Sequence, residues 1–548
     1  MKGTPLDCDW CAYQNRTDAN YCGDCGRKLQ TVVACQTCGF SIPEETYFCV
    51  RCGATSGNEE QPGKELSDRS GVALESPAVT GLNRSLFSGG AFVEFLRLKT
   101  PVLFTYYSAS GLIFVLILAV ALVLRVTNLQ ETPPNVTSDE ADNLQVAYHI
   151  LAGNGPGFFG LDWKPAPAFS IYLIAGSMSI FGESIVALRI PSVLFSVAAI
   201  AGFYIVARQV ISNGAALAAM FLMATGLWFL HFSRSGWENA HVATYVVLTV
   251  LTLKLALSRG QWYLYALVGV SAGLGVYGYM GGRAIIVGVL SFLPFAFLLY
   301  PETRKRILVG YAVMLVVFFV LVAPQAKTAF DDWDYFNRRT GNVSVLGRAG
   351  GYGGNEGLPT IIAHQVWRTI DGFLLMDSGI HGVGLNGRYI APGWAVLDRI
   401  TGLLFWFGII CSLRRWRTTI LWWVMFSAML FPVQVLSTGT PDVARAVGAI
   451  PFYYLFVGLG LHWLLSFRGI RRKVSQFALM VLVIGIGFYN VTQYHQWMSD
   501  PLAATSRQPA VEIEEFGSWQ RLQMEEAEAG RYGFNVTEWH QMRGLLAP

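Results

Sequence analysis

The sequence predicts an α-helical polytopic membrane protein with about eleven transmembrane helices, preceded by a small N-terminal zinc-ribbon module. Three observations lead there. Of 548 residues, 53% are hydrophobic and only 14% charged, against roughly a quarter charged in an ordinary soluble domain. Uncharged stretches recur that are long enough to cross about 30 Å of hydrocarbon, which takes about 20 helical residues. Eight of the nine cysteines fall between Cys8 and Cys52. The net charge of +4 comes from Lys and Arg in short clusters between apolar runs. A nucleic-acid protein would carry a basic stripe instead, so no nucleic-acid partner is expected. The 14% aromatic content suits many positions at headgroup level.

The cysteines read Cys8-Asp-Trp-Cys11, Cys22-Gly-Asp-Cys25, Cys35-Gln-Thr-Cys38 and Cys49-Val-Arg-Cys52, with ten, nine and ten residues between the pairs. A CxxC turn presents two sulfurs to one ion, and Gly26, Gly39 and Gly53 let the chain turn tightly after the second cysteine. Four pairs make two four-thiolate zinc sites, both structural because no coordination position stays open. Residues 1–53 bury little core, so metal supplies most of their folding free energy. The competing readings are disulfides or redox-active CxxC motifs; a reducing cytosol and the lack of a thioredoxin-like pattern favour metal. The first 50 residues lack the apolar core of a signal peptide, so the N-terminus is expected in the cytosol.

Residues 54–98 form a flexible linker, rich to about Ser88 in Gly, Ser, Glu and Pro. The membrane domain covers 99–494, with spans near residues 100–124, 190–207, 215–230, 240–257, 262–282, 284–300, 307–323, 394–413, 418–436, 446–467 and 474–491. Alternate connections carry Arg208, Arg259, Arg304 to Arg306, Arg414 to Arg417 and Arg468 to Lys473. The positive-inside rule puts these in the cytoplasm, together with the cysteines. Outer loops then lie near 125–189 and 324–399, and the tail 495–548 lies outside. The uncharged stretch 165–182 is read as an amphipathic interfacial helix, because counting it as a span would reverse every later basic cluster. The setting is a plasma membrane with the lipid bilayer as solvent.

The first outer loop opens with Ser138-Asp139-Glu140-Ala-Asp142. Ser138 or Asp139 makes a good N-cap for the run that follows, so the plain reading is that these acids cap and solvate a helix. Further on comes Lys164 beside Pro165 and Pro167, then arginines at the outer mouths of spans: Arg189, Arg234, Arg283 and Arg445. Each alone is as well explained by snorkelling to headgroups. As a set on one face they make a cationic pocket for a phosphate, to which Asp142 would add a polar group.

The order SDEAD, WKPAPAFSIYLIAGSMSIFGESIVALRIPS, HFSRSGWEN, GVYGYMGGR resembles the dolichyl-phosphate-mannose protein mannosyltransferases, glycosyltransferase family 39, and above all its bacterial members with phospholipid carriers. The resemblance spans about residues 100–494 and is more specific before Pro324. It implies a GT-C fold and transfer of a hexosyl or pentosyl group from a polyprenyl-phosphate sugar to an acceptor protein, glycan or lipid. It further implies that Asp139 is the catalytic carboxylate and Glu140 its acidic companion, with Lys164 touching the lipid phosphate and Arg189 opening the second span. The family often has two adjacent prolines where this chain has Pro165-Ala166-Pro167.

The residue types fit that chemistry independently. Attack by a hydroxyl on an anomeric carbon needs a carboxylate to take the proton, and a departing phosphate needs cations; a single in-line displacement inverts the anomeric centre. Two other classes compete. A transporter or flippase predicts paired repeats and mid-span charge, yet Lys254 alone lies inside a span. A membrane scaffold would act through a cytoplasmic partner of its zinc ribbons and tolerate replacement of Asp139. The residues neither demand nor exclude a catalytic divalent ion.

Overall fold

The computed structural model describes residues 109–134, 136–162, 165–347, 356–375, 389–391, 394–466 and 472–500, with four short strands between residues 6 and 43. The chain divides into two units, Met1–Ser108 and Ala109–Pro548. The eight clustered cysteines, the linker 54–98, Lys164 and the tail beyond 500 lie outside the described residues.

In the first unit, β1 (Leu6–Asp7) pairs antiparallel with β2 (Gln14–Asn15), and β3 (Val32–Ala34) with β4 (Ser41–Pro43). The connection in the first hairpin contains Cys8 and Cys11, and that in the second contains Cys35 and Cys38. Two short hairpins, each bracketing a CxxC pair, suit a ribbon in which a thiolate-bound ion substitutes for a core. Eight cysteines in CxxC pairs have the donor chemistry of structural zinc.

The second unit is helical throughout. In chain order it has α1 (Ala109–Val126), α2 (Ser138–Leu151), α3 (Phe169–Phe181), α4 (Ile185–Ala207), α5 (Asn213–Thr225), α6 (Leu227–Ser233), α7 (Asn239–Arg259) and α8 (Trp262–Gly278). Then follow α9 (Ala284–Leu299), α10 (Arg304–Asp331), α11 (Trp333–Val343), α12 (Leu358–Thr369), α13 (Arg399–Arg414), α14 (Trp416–Val435), α15 (Ile450–Ser466) and α16 (Arg472–Ser499).

Among the described residues, seven helices are long and apolar enough to cross a membrane, and α5 with α6, bent by 58°, makes an eighth if the pair is one span. The chain is a multi-pass membrane protein. The expected count of about eleven also included α1, α8 and α13. Within the described residues these have 18, 17 and 16 helical residues, about 24 to 27 Å at 1.5 Å per residue, and residues 100–108 of the first expected span lie outside the described ones. Glycine explains one case: α8 stops at Gly278, where the backbone becomes extended at Tyr279.

Stretch 165–182 forms α3, whose 13 residues are too short to span. It buries Ile171, Ile174, Ala175 and Met178 against α2 and α4. These positions fall at helical spacing on one face, as expected for a helix lying on a core rather than crossing it.

Close backbone approach organises the bundle behind the site. A Cβ at Gly408 on α13 would lie 1.7 Å from the Phe456 carbonyl oxygen, and one at Gly460 on α15 would lie 2.6 Å from that of Leu404. The two facing glycines let these helices pack backbone to backbone. Around them Phe405, Phe426, Tyr453 and Phe456 form a cluster of aromatic rings.

Candidate functional site

The site begins at the start of α2. Thr137, not Ser138 or Asp139, is the N-cap: its hydroxyl accepts from the Glu140 amide, and Glu140 accepts back from the Thr137 amide at 3.1 Å. This capping box satisfies two otherwise orphaned donors. The expected cap is therefore displaced by one residue, because a reciprocal box needs Glu at the third helical position. Asp139 is thereby spared from capping and half-buried at the helix mouth.

Glu140 is fully buried and bound from several sides. Its Oε1 accepts from Arg189 Nε at 2.9 Å and from the Gly236 amide at 2.8 Å, and its Oε2 from the Thr137 hydroxyl at 3.2 Å. Arg189, also fully buried, donates through Nη1 to the carbonyls of Leu129 and Pro133. Arg234 is fully buried as well; it donates to the carbonyls of Leu124, Thr127 and Thr132. Helix C-termini leave carbonyls unpaired, and Arg234 serves those at the end of α1. The structure thus puts Arg189 and Arg234 on main chain and on Glu140, instead of on an open phosphate pocket. Asp142 is half-buried and does not line the cavity described next.

That cavity has a volume of about 410 Å³ and is bordered by Asp139, Arg283, Arg445 and Tyr389. It also reaches residues the sequence reading did not single out: Arg339, Asp162, Glu238, Asp442 and Tyr279. Glu238 lies within HFSRSGWEN together with Arg234, and Asp442 lies three residues before Arg445. Arg339 stands in the long second loop, on α11, where no local signal separates it from a solvated charge.

Local structure explains each placement. Tyr389, 250 residues from Asp139, donates its hydroxyl to Asp139 Oδ2 at 2.7 Å and packs against Phe232 and Trp237, which also touch each other. Trp237 donates Nε1–H to the Thr137 hydroxyl at 3.0 Å, tying that aromatic wall to the cap. Asn143, one turn beyond Asp139, donates to Glu238 Oε2 at 2.8 Å. Arg283 ends the single turn Met280–Arg283, held against α8 so tightly that a Cβ at Gly282 would lie 1.9 Å from the Gly275 carbonyl oxygen. Its guanidinium lies 5.2 Å from the Phe336 ring centroid, and its Nη2 is buried with no hydrogen-bond partner among the described residues. Arg445 pairs with Asp442 at 3.2 Å and donates to the Ser437 hydroxyl and the Thr438 carbonyl. The turn carrying both is anchored by Gln434, whose amide donates to the Asp442 carbonyl and accepts from its N–H.

An oriented carboxylate thus shares one cavity with three guanidiniums. This arrangement can remove a proton on one side while stabilising negative charge on the other.

Fold and site define a multi-pass helical membrane protein with a charged cavity among its helix mouths and a small cysteine-rich module. Comparison with known families gives two matches: residues 165–326 match the dolichyl-phosphate-mannose-protein mannosyltransferase family, and residues 8–53 match the double zinc ribbon. Similar curated proteins include the undecaprenyl phosphate-alpha-4-amino-4-deoxy-L-arabinose arabinosyl transferases of Pseudomonas paraeruginosa and Pseudomonas aeruginosa, each 28% identical over 214 residues. Those alignments cover 36% of this chain and span 38% of the relatives' length. Among solved structures, the Archaeoglobus fulgidus oligosaccharyltransferase aligns at 15% identity with a TM-score of 0.48, covering 81% of this chain and 60% of the other. ArnT from Cupriavidus metallidurans bound to undecaprenyl phosphate aligns at 15% identity with a TM-score of 0.44, covering 80% of this chain and 76% of the other.

Proposed function

We propose that the protein is a glycosyltransferase that moves a hexosyl or pentosyl group from a polyprenyl-phosphate carrier to a hydroxyl of a protein, glycan or lipid acceptor, with inversion. The observation that carries this reading is Asp139 opening on the same cavity as Arg283, Arg339 and Arg445. Asp139 takes the acceptor's proton as the new bond forms. The arginines hold the carrier phosphate and stabilise its charge on departure. Lys164, which adjoins the cavity residues Asp162, Ala166 and Pro167 in sequence, joins them at the phosphate. Glu140, Arg189 and Arg234 act as positioning residues that fix the start of α2. The family match over residues 165–326 and the arabinosyl transferase relatives support the same class of donor.

The cavity faces the extracytoplasmic side in this reading, and the zinc ribbons lie in the cytosol, where they meet a protein partner. The alternating basic connections support that orientation. A cysteine introduced at Gly353 should react with an impermeant thiol reagent added from outside, whereas one at Gly57 should not; reversed labelling overturns the orientation.

The reaction itself is tested by incubating purified protein with a panel of polyprenyl-phosphate sugars and following carrier and products by mass spectrometry. Release of free polyprenyl phosphate with one donor and loss of that release in Asp139→Asn are expected. Carriers left intact across the panel, with an Asp139→Asn strain indistinguishable from wild type, would end the proposal.

A further inference from the structure

At the other end of α15, three segments meet: the loop into α5, the α13–α14 junction and the last turn of α15. There His462 lies with Nδ1 3.2 Å from the Ser212 amide nitrogen and Nε2 3.2 Å from Arg415 Nη1. The Ser212 N–H can only donate, so Nδ1 carries the lone pair. The single proton of a neutral imidazole is then on Nε2. Arg415 has only donors as well. Two donors therefore meet head to head. The opposite tautomer would move the conflict onto a main-chain N–H that cannot swing away, whereas Arg415 is exposed; a protonated ring would create both conflicts at once.

Among the described residues, no acceptor meets His462 Nε2. The Arg414 and Arg415 guanidiniums lie 5.8 and 5.7 Å from the Trp463 ring centroid, and Trp463 Nε1 is buried with no partner among the described residues. Residues 207–213, 414–417 and 462–466 hold four Arg and no Asp or Glu. Arginines at the C-terminus of α13 complement the helix dipole, but that does not explain why an imidazole N–H is turned into them.

We propose that His462 Nε2–H and the Arg415 guanidinium form a binding site for a phosphate group, with Arg414 and Trp463 as further donors. A phosphate oxygen accepts from both groups at once, and the forked guanidinium suits it. The α15 helix has 17 residues, about 25 Å, and separates this site from Arg445 and the cavity. The site is thus distinct from the one proposed for the carrier phosphate and does not rest on that reading. A phospholipid headgroup and a free phosphate share this chemistry.

The test uses the full-length protein in nanodiscs of phosphatidylcholine, with or without phosphatidylglycerol. Native mass spectrometry counts retained lipid, and inorganic phosphate is the second probe. Retention of phosphatidylglycerol over phosphatidylcholine, reduced at least fivefold in Arg415→Gln, identifies the lipid as ligand. Phosphate binding in phosphatidylcholine discs, lost to the same extent in that variant, identifies free phosphate. Because Arg415 is exposed, the variant should fold; its melting temperature checks this. In 15N spectra of histidine-labelled protein, with the His462 signal assigned by its loss in His462→Gln, Nε2 should carry the proton. A proton on Nδ1, or equal binding of both probes by wild type and Arg415→Gln, overturns the site.

Discussion

Glu140 and Arg189 form an ion pair, 2.9 Å from Oε1 to Nε, in which neither side chain touches solvent. Its worth is positional. Glu140 simultaneously closes the capping box of α2 and accepts from Gly236, so a single carboxylate joins the first loop, α4 and the segment after α6. Asp139, next to it, inherits that fixed geometry.

Removing one partner of such a pair leaves a buried charge uncompensated, at a cost of about 3 to 5 kcal/mol. Arg189→Met and Glu140→Gln should therefore lower the melting temperature and the yield of folded protein in detergent. Melting curves unchanged from wild type would show that the pair is dispensable to the fold.

Asp139→Asn should behave oppositely, keeping the melting temperature while transfer falls on the order of 100-fold or more, as for loss of a general base. Activity within about threefold of wild type would remove Asp139 from that role.

Tyr389→Phe removes only the hydroxyl that donates to Asp139 at 2.7 Å. The ring still packs on Phe232 and Trp237, so the fold should hold while kcat falls about tenfold, equivalent to roughly 1.4 kcal/mol of orientation. A change confined to KM would argue that Tyr389 touches substrate instead.

Arg283 and Arg234 separate the two kinds of arginine. Arg283→Gln should raise KM for the carrier at least tenfold with little effect on melting, since its Nη2 serves no protein partner among the described residues. Arg234→Gln should melt early, because each buried charge-assisted hydrogen bond contributes about 1.5 to 3 kcal/mol. Equal behaviour of the two in both assays would contradict this division.

Deleting residues 1–53 should eliminate about two equivalents of zinc while leaving the specific activity of purified protein little changed. Metal analysis beside a transfer assay decides it: activity lost together with zinc would mean that the ribbons take part in the reaction.

Much of this was legible in the sequence, for physical reasons that differ by element. Hydrocarbon length and the spacing of uncharged stretches mark α4, α7, α10 and α14 directly. Cysteine spacing marks the ribbons, and the SDEAD run marks α2. The arginines were readable as a group but not as individuals: Arg189 and Arg234 look identical in sequence to Arg283 and Arg445. Only three-dimensional packing decides which guanidiniums meet carbonyls and which meet a cavity. Tyr389 and Arg339 were invisible because their partners are far away in the chain. Thr137 was missed by one position, since the capping box is set by Glu140, the residue directly after the acid that drew attention.

The distances along the chain between Asp139 and its supports also bear on how the protein is made. Arg189 reaches Glu140 across 49 residues, Gly236 across 96, and Tyr389 reaches Asp139 across 250. During synthesis the loop bearing Asp139 emerges long before any of them. Its final alignment must wait for α4 through α6 to enter the bilayer, and the last clamp arrives only with the segment before α13. A ribosome stalled in that interval would leave a membrane-inserted chain whose acidic loop is still unassembled.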